Sequence, residues 1–88
     1  MVSYSIRLKR SVEKDLRRLP SSEVPRVLSA IDKLTSDPHP RGALKLSGAE
    51  TLYRVRVGDY RIIYEVDTEA KEVTIHYLRH RRGAYRGL

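Results

Sequence analysis

The 88-residue sequence predicts an α+β domain, with two helices laid on one face of a small antiparallel β-sheet in the order β-α-α-β-β-β. Three observations carry this reading. An alternating segment opens the chain, two stretches of helical spacing follow it, and two further alternating segments meet at the pair Gly58-Asp59.

Val2, Tyr4, Ile6 and Leu8 alternate with polar residues, so residues 2–8 predict the first strand. Val12, Leu16 and Leu19 follow the i, i+4, i+7 spacing of a short helix, which Pro20 stops. A second helix is expected to begin at Ser21-Ser22-Glu23, with Pro25 in the first turn, where a missing N–H does little harm. Its apolar stripe is Val24, Val27, Leu28, Ile31 and Leu34, and the loop SDPHPRG, residues 36–42, closes it. Each helix carries one apolar stripe and needs a surface to cover.

The second half of the chain supplies that surface. Residues 43–47 predict a short extended piece, 51–57 and 60–66 a hairpin, Thr68-Glu69-Ala70-Lys71 a turn, and Glu72 to Leu78 a last strand. On the hairpin, Tyr53, Val55, Val57, Tyr60, Ile62, Tyr64 and Val66 share one apolar face, which the helices should cover. The other face carries Arg54, Arg56, Arg61, Ile63 and Glu65 and should stay open to solvent. In the last strand Val73, Ile75 and Tyr77 fall on one side and His76 on the other. No repeat or linker interrupts the pattern, so one domain spanning 1–88 is expected.

Composition narrows the function. No cysteine is present, which excludes disulfides and thiolate metal sites and fits a reducing compartment. The histidines, at 39, 76 and 80, lack metal-ligand spacing, and there is no glycine-rich phosphate loop, so neither a metal nor a cofactor is expected. No apolar run approaches the ~20 residues of a membrane span. The opening MVSYSIRLKR lacks the apolar block of a signal peptide, which predicts a soluble cytoplasmic protein with no membrane partner.

Eighteen Lys and Arg against eleven Asp and Glu leave a net charge of +7, which points to a polyanionic partner. The excess is localised. Residues 21–52 balance at four basic and four acidic side chains, residues 1–20 carry six against two, and the last ten residues carry four arginines and no acid. The arginines mostly sit in patterned segments, which favours a structured anion site over a basic tail.

The hairpin sharpens this point. With a two-residue loop, Val57 faces Tyr60, Arg56 faces Arg61 and Tyr53 faces Tyr64. Like charges in cross-strand positions are destabilising, by roughly the 0.2–1 kcal/mol that favourable pairs contribute. The plain alternative is a solvated face with Arg54 or Arg56 paired to Glu65. One carboxylate cannot neutralise three guanidinium groups, however, and a bound anion would turn their repulsion into shared attraction. The C-terminal LRHRRGAYRGL adds Arg79, Arg81, Arg82 and Tyr85. An aromatic flanked by arginines can stack on a base while its neighbours hold phosphates, which favours single-stranded or distorted RNA over a duplex. If the last strand runs antiparallel to 60–66, Arg79 ends beside Arg61. His76 reads as a half-exposed strand residue and His39 as a loop residue.

Taken in order, the segments DLRRLP, IDKLTSDP, LKLSG, YRVRVGDYRIIYEVD and LRHRRGAYR make the chain resemble the RelE branch of the RelE/ParE superfamily of bacterial toxins, the toxic halves of type II toxin–antitoxin pairs. The resemblance spans essentially the whole chain. It implies a metal-independent endoribonuclease that enters the A site of the 30S ribosomal subunit and cuts messenger RNA during translation. It also implies a cognate acidic antitoxin that covers the basic face or displaces the C-terminal region. By motif, the family's catalytic side chains fall on Arg54 and Arg56 of YRVRV, Arg61 of DYRIIY, Arg79 of LRHRR and Tyr85 of GAYR. Arg54, His80, Arg81 and Arg82 are expected to hold RNA. Where the best-known pattern has two lysines on the first hairpin strand, this chain has Arg54 and Arg56.

The expected division of labour follows the chemistry. Arg61 with Arg56 stabilises charge on the phosphate, Arg54 holds the backbone, and Arg79 assists the leaving oxygen. Arginine cannot accept a proton near neutrality. Tyr85, its phenol made more acidic by neighbouring guanidinium groups, is the expected base, with His80 and Glu65 in reserve. Three other readings stand beside this one: a ParE-like toxin acting on DNA gyrase, an RNA-binding domain without catalysis, and a generic basic domain, against which the order of the motifs counts.

Overall fold

The computed structural model describes residues 3–46 and 51–80. The chain runs β1 (Ser5–Leu8), α1 (Arg10–Arg18), α2 (Val24–Lys33), β2 (Leu44–Lys45), β3 (Leu52–Val57), β4 (Tyr60–Asp67) and β5 (Glu72–His80). The expected α+β architecture is present. Pro20 and the turn after it separate the helices, and Glu23 stands at the N-terminal boundary of α2 with Pro25 inside the first turn. The second helix thus starts at Val24, three residues later than expected, because Ser21–Glu23 form a turn.

The sheet order is β1-β5-β4-β3-β2. β2, β3, β4 and β5 are antiparallel neighbours, but β1 lies parallel to β5, with Ser5 opposite Glu72 and Leu8 opposite Ile75. The sheet is therefore mixed rather than antiparallel. The reason is topological: a parallel partner requires a long crossover, and everything between β1 and β5 provides one.

Val12 of α1, Val27 and Ile31 of α2, and Leu34 just beyond it bury themselves against Ile62, Tyr64 and Val66 of β4 and Val73, Ile75 and Leu78 of β5. Leu28, expected in the α2 stripe, is 45% exposed, because Val27, Ile31 and Leu34 already fill the sheet-facing side. Tyr64 is fully buried, and its hydroxyl donates to the Pro38 carbonyl at 2.8 Å, tying the loop after α2 to the core. Tyr53 stacks on Tyr64 at 5.9 Å, and His39 meets Tyr53 edge-on at 4.8 Å. Burial, together with the nearby Tyr53 and Asp37, pushes the Tyr64 phenol up to about 12.

Two local features set the directions of side chains on the sheet. Gly58 has φ +60° at the first position of the hairpin loop, where a left-handed residue lets a two-residue turn match the strand twist. A Cβ there would also stand 3.2 Å from Arg26 of α2. The second feature is a bulge between β4 and β5: Ile63 pairs with Tyr77 but the next residue, Tyr64, pairs with Ile75, leaving His76 as the extra residue. The bulge turns Leu78 into the core and Tyr77 out of it, so Tyr77 does not share the face of Val73 and Ile75.

Candidate nucleic-acid interface

The helix-free face of the sheet collects the arginines. In register, Arg56 pairs with Arg61, and Arg61 pairs with Arg79, so β3, β4 and β5 present three guanidinium-bearing residues in one row. One step along β3, Arg54 lies between Leu44 of β2 and Ile63 of β4, with Tyr77 next in that row. The third row is Glu65, Thr74 and Arg7. Ile63 is buried on this face, where its cross-strand neighbours are Arg54 and Tyr77. Long arginine stems cover apolar surface while their heads stay in water.

Gly42, Leu44, Arg54, Arg56 and Arg61 line an open cleft of about 260 Å³. Arg56 is exposed, Arg54 and Arg61 are half-buried, and Nε of Arg61 is withdrawn from solvent. Leu44, 53% exposed, gives this charged cleft one apolar wall. No sequence pattern singled out Leu44, because a two-residue strand has too little periodicity to assign a face.

The hairpin carboxylate on the arginine face is engaged elsewhere. Glu65 Oε1 lies 3.1 Å from Nε2 of His76, and its Oε2 accepts from the Thr51 hydroxyl at 3.3 Å. The bulge that doubles β5 at His76 brings that ring to Glu65. Among the described residues, neither Arg54 nor Arg56 has a carboxylate within ion-pair distance. The pairing of Arg54 or Arg56 with Glu65 that the solvated-face alternative included is thus not present.

Arg79 reaches the same face as Arg61 but is held from the side. Its Nη1 donates to Oδ2 of Asp15 in α1 at 2.6 Å, and its guanidinium lies 5.2 Å from the centre of the Tyr77 ring. His80, by contrast, pairs with Tyr60 and sets its ring edge-on to that tyrosine at 5.3 Å. Tyr60 belongs to the helix-covered face, so strand alternation puts His80 on the side away from the arginine row. That location separates it from the RNA-holding group it was expected to join. Arg81, Arg82 and Tyr85 lie outside the described residues.

Arranged this way, the face presents several guanidinium groups that can together bind an anion with several oxygens. Among the described residues no group of His, Cys, Asp or Glu could hold a metal ion, and no helix is long and apolar enough to cross a membrane.

Known proteins share this sequence pattern and fold. Residues 6–85 match the family described as "ParE toxin of type II toxin-antitoxin system, parDE". "Putative toxin RelE1" of Methanocaldococcus jannaschii is 30% identical over 88 residues, covering 97% of this chain and 98% of that protein. "Toxin RelE" of Mycobacterium tuberculosis is 29% identical over 84 residues, covering 94% of this chain and 87% of that protein. Among solved structures, the archaeal RelE–RelB complex from Pyrococcus horikoshii OT3 aligns with a TM-score of 0.81 and 37% identity, over 90% of this chain and 96% of that one.

Proposed function

The chain belongs to the RelE/ParE superfamily of type II toxins, on its RelE-like branch, and from that premise we propose that it is an endoribonuclease cutting messenger RNA in the ribosomal A site. One observation carries the reading: Arg54, Arg56 and Arg61 line a single cleft on the uncovered sheet face while Glu65 is bound to His76 and Thr51. Folding alone gives no reason to place Arg61 opposite Arg56. A phosphodiester gives one.

The reaction is attack of a ribose 2′-oxygen on the adjacent phosphorus. The new P–O2′ bond forms as the P–O5′ bond breaks, leaving a 2′,3′-cyclic phosphate and a 5′-hydroxyl. The nucleophile belongs to the substrate, so the reaction needs no metal to generate it. Arg61 and Arg56 receive the charge that builds on the non-bridging oxygens, and Arg54 holds the backbone. The proton on the 2′-hydroxyl goes to Tyr85, since arginine cannot take it. Arg79 assists the departing O5′, which ends protonated.

Guanidinium groups bind RNA but do not bend it into line for attack. Alignment is worth several orders of magnitude, and the ribosome supplies it in this reading. The site of action is then the cytoplasm. The solved relatives from Pyrococcus horikoshii and Mycobacterium tuberculosis are complexes of toxin with antitoxin, RelE–RelB and RelBE2. A cognate acidic antitoxin is the corresponding partner here, and the +7 charge suits one.

The test uses ribosomes programmed with a defined A-site codon. Wild-type protein should cut the message there and leave free RNA nearly intact, and Tyr85→Phe should lose most of the activity. An intact message, or efficient degradation of free RNA, would overturn the reading. The ParE description of the matching family keeps gyrase as the second reading. Inhibition of supercoiling together with uncut message would establish it.

A further inference from the structure

Arg79 comes from a part of β5 that has lost its outer strand. β1 ends with Leu8 opposite Ile75, so residues 76–80 have only β4 beside them in the sheet, and α1 packs against β5 instead. From α1, Asp15 reaches Arg79 Nη1 at 2.6 Å, in a pair whose side chains are 22% and 32% exposed. Nη1 also donates to the Leu78 carbonyl at 3.4 Å, and the guanidinium carbon lies over the Tyr77 ring, 5.2 Å from its centre. The hydrogen bonds and the ion pair of the Arg79 side chain among the described residues thus all fall on Nη1. Nε and Nη2 remain, and together they form an edge able to meet two oxygens of one phosphate.

We propose that Asp15 is a positioning residue for Arg79: a helix-borne carboxylate that anchors one corner of the guanidinium so that its Nε/Nη2 edge faces the scissile phosphate. The inference rests on the functional reading above. The corner grip distinguishes an anchor from a competitor, since a carboxylate standing in for the phosphate would take the two-donor edge itself. An anchored arginine has lost its rotamer freedom before substrate arrives, and that loss then drops out of the chemical step. The arrangement also explains why a short acidic side chain sits on a helix otherwise rich in Lys and Arg.

Single-turnover cleavage on programmed ribosomes tests the role. Asp15→Ala should slow cleavage at saturating toxin by about 10- to 100-fold, the scale on which misplacing a group acts, and leave the half-saturating concentration unchanged. Asp15→Glu should recover much of the rate. In an Arg79→Ala background, Asp15→Ala should cost nothing more. Additive losses, or an Asp15→Ala protein as fast as wild type or faster, would overturn the proposal. If Asp15→Ala does not fold, Asp15→Asn keeps the shape, removes the charge and carries the same expectations. Nitrogen-15 NMR of the Arg79 guanidinium gives a readout independent of cleavage: its rotation should be restrained in wild type and released in Asp15→Asn. A wild-type protein that leaves ribosome-bound message uncut defeats the functional reading alone. Identical guanidinium rotation in the two proteins defeats the anchor.

Discussion

The two faces of the β4 strand differ in what holds their residues in place. Toward the helices, Ile62, Tyr64 and Val66 are buried, and the one buried hydroxyl, on Tyr64, has found the Pro38 carbonyl. Each of these residues is accounted for by area removed from water or by a satisfied hydrogen bond. Away from the helices, Arg61 stands between Arg56 and Arg79, an arrangement that folding tolerates rather than requires. In the proposed reading, strand alternation therefore separates most of the residues that stabilise from those that act. A substitution on one face should change stability and on the other activity.

The largest effect expected is on the open face. Arg61→Ala should lower ribosome-dependent cleavage by about 10²–10³-fold, as loss of one preorganised donor does, while the melting temperature stays within a few degrees of wild type. A melting temperature that collapses with activity would break the separation. The reciprocal change is Ile75→Ala. Ile75 is fully buried, and its truncation should destabilise the protein by about 2–5 kcal/mol. The fraction that remains folded should still cleave at the wild-type rate. A fully folded but inactive Ile75→Ala protein would show that the core face reaches into the chemistry.

How much of this contrast the sequence discloses depends on the range of the interaction. Arg56 opposite Arg61 follows from a two-residue loop and strand alternation, both local, and the register agrees. The convergence of Arg79 on Arg61 needs only antiparallel pairing with the last strand. The bulge at His76 is different. Val73, Ile75 and Tyr77 alternate faultlessly in sequence, yet Leu78 is the residue in the core, because an inserted residue shifts the register without changing the pattern. The same bulge decides Glu65, which strand alternation puts on the arginine face and which bonds to His76 in space. The Asp15–Arg79 pair spans 64 positions and depends on β1 lying parallel to β5 and stopping short, a fact of topology that no periodicity records.

An intermediate effect comes from pH on the core face. Tyr64 holds its proton in the fold up to about 12, against an unfolded value of 10.0. A folded value above the unfolded one means that the stabilisation is complete below pH 10 and is lost as pH climbs toward 12. The full loss is on the order of 2–3 kcal/mol. Tyr64→Phe should start about 1 kcal/mol less stable, because the Pro38 carbonyl loses its donor, and should then lack this alkaline slope. If both proteins lose stability in parallel between pH 10 and 12, the slope belongs to other groups.

The smallest effect is the most direct test of why the open face looks as it does. Replacing Arg56 by Thr removes one of two like charges facing each other across the hairpin, and at low ionic strength this should raise stability by roughly 0.2–1 kcal/mol. Inorganic phosphate in the millimolar range should then close or reverse the difference, because an anion that binds only the folded wild type stabilises it by mass action. Phosphate also favours compact states through its exclusion from protein surface, but that contribution acts on both proteins alike and cancels in the difference. The measurement is two thermal melts, each with and without phosphate. A gap that does not respond to the anion would mean that Arg56 and Arg61 share no guest, and the open face would then be a solvated surface after all.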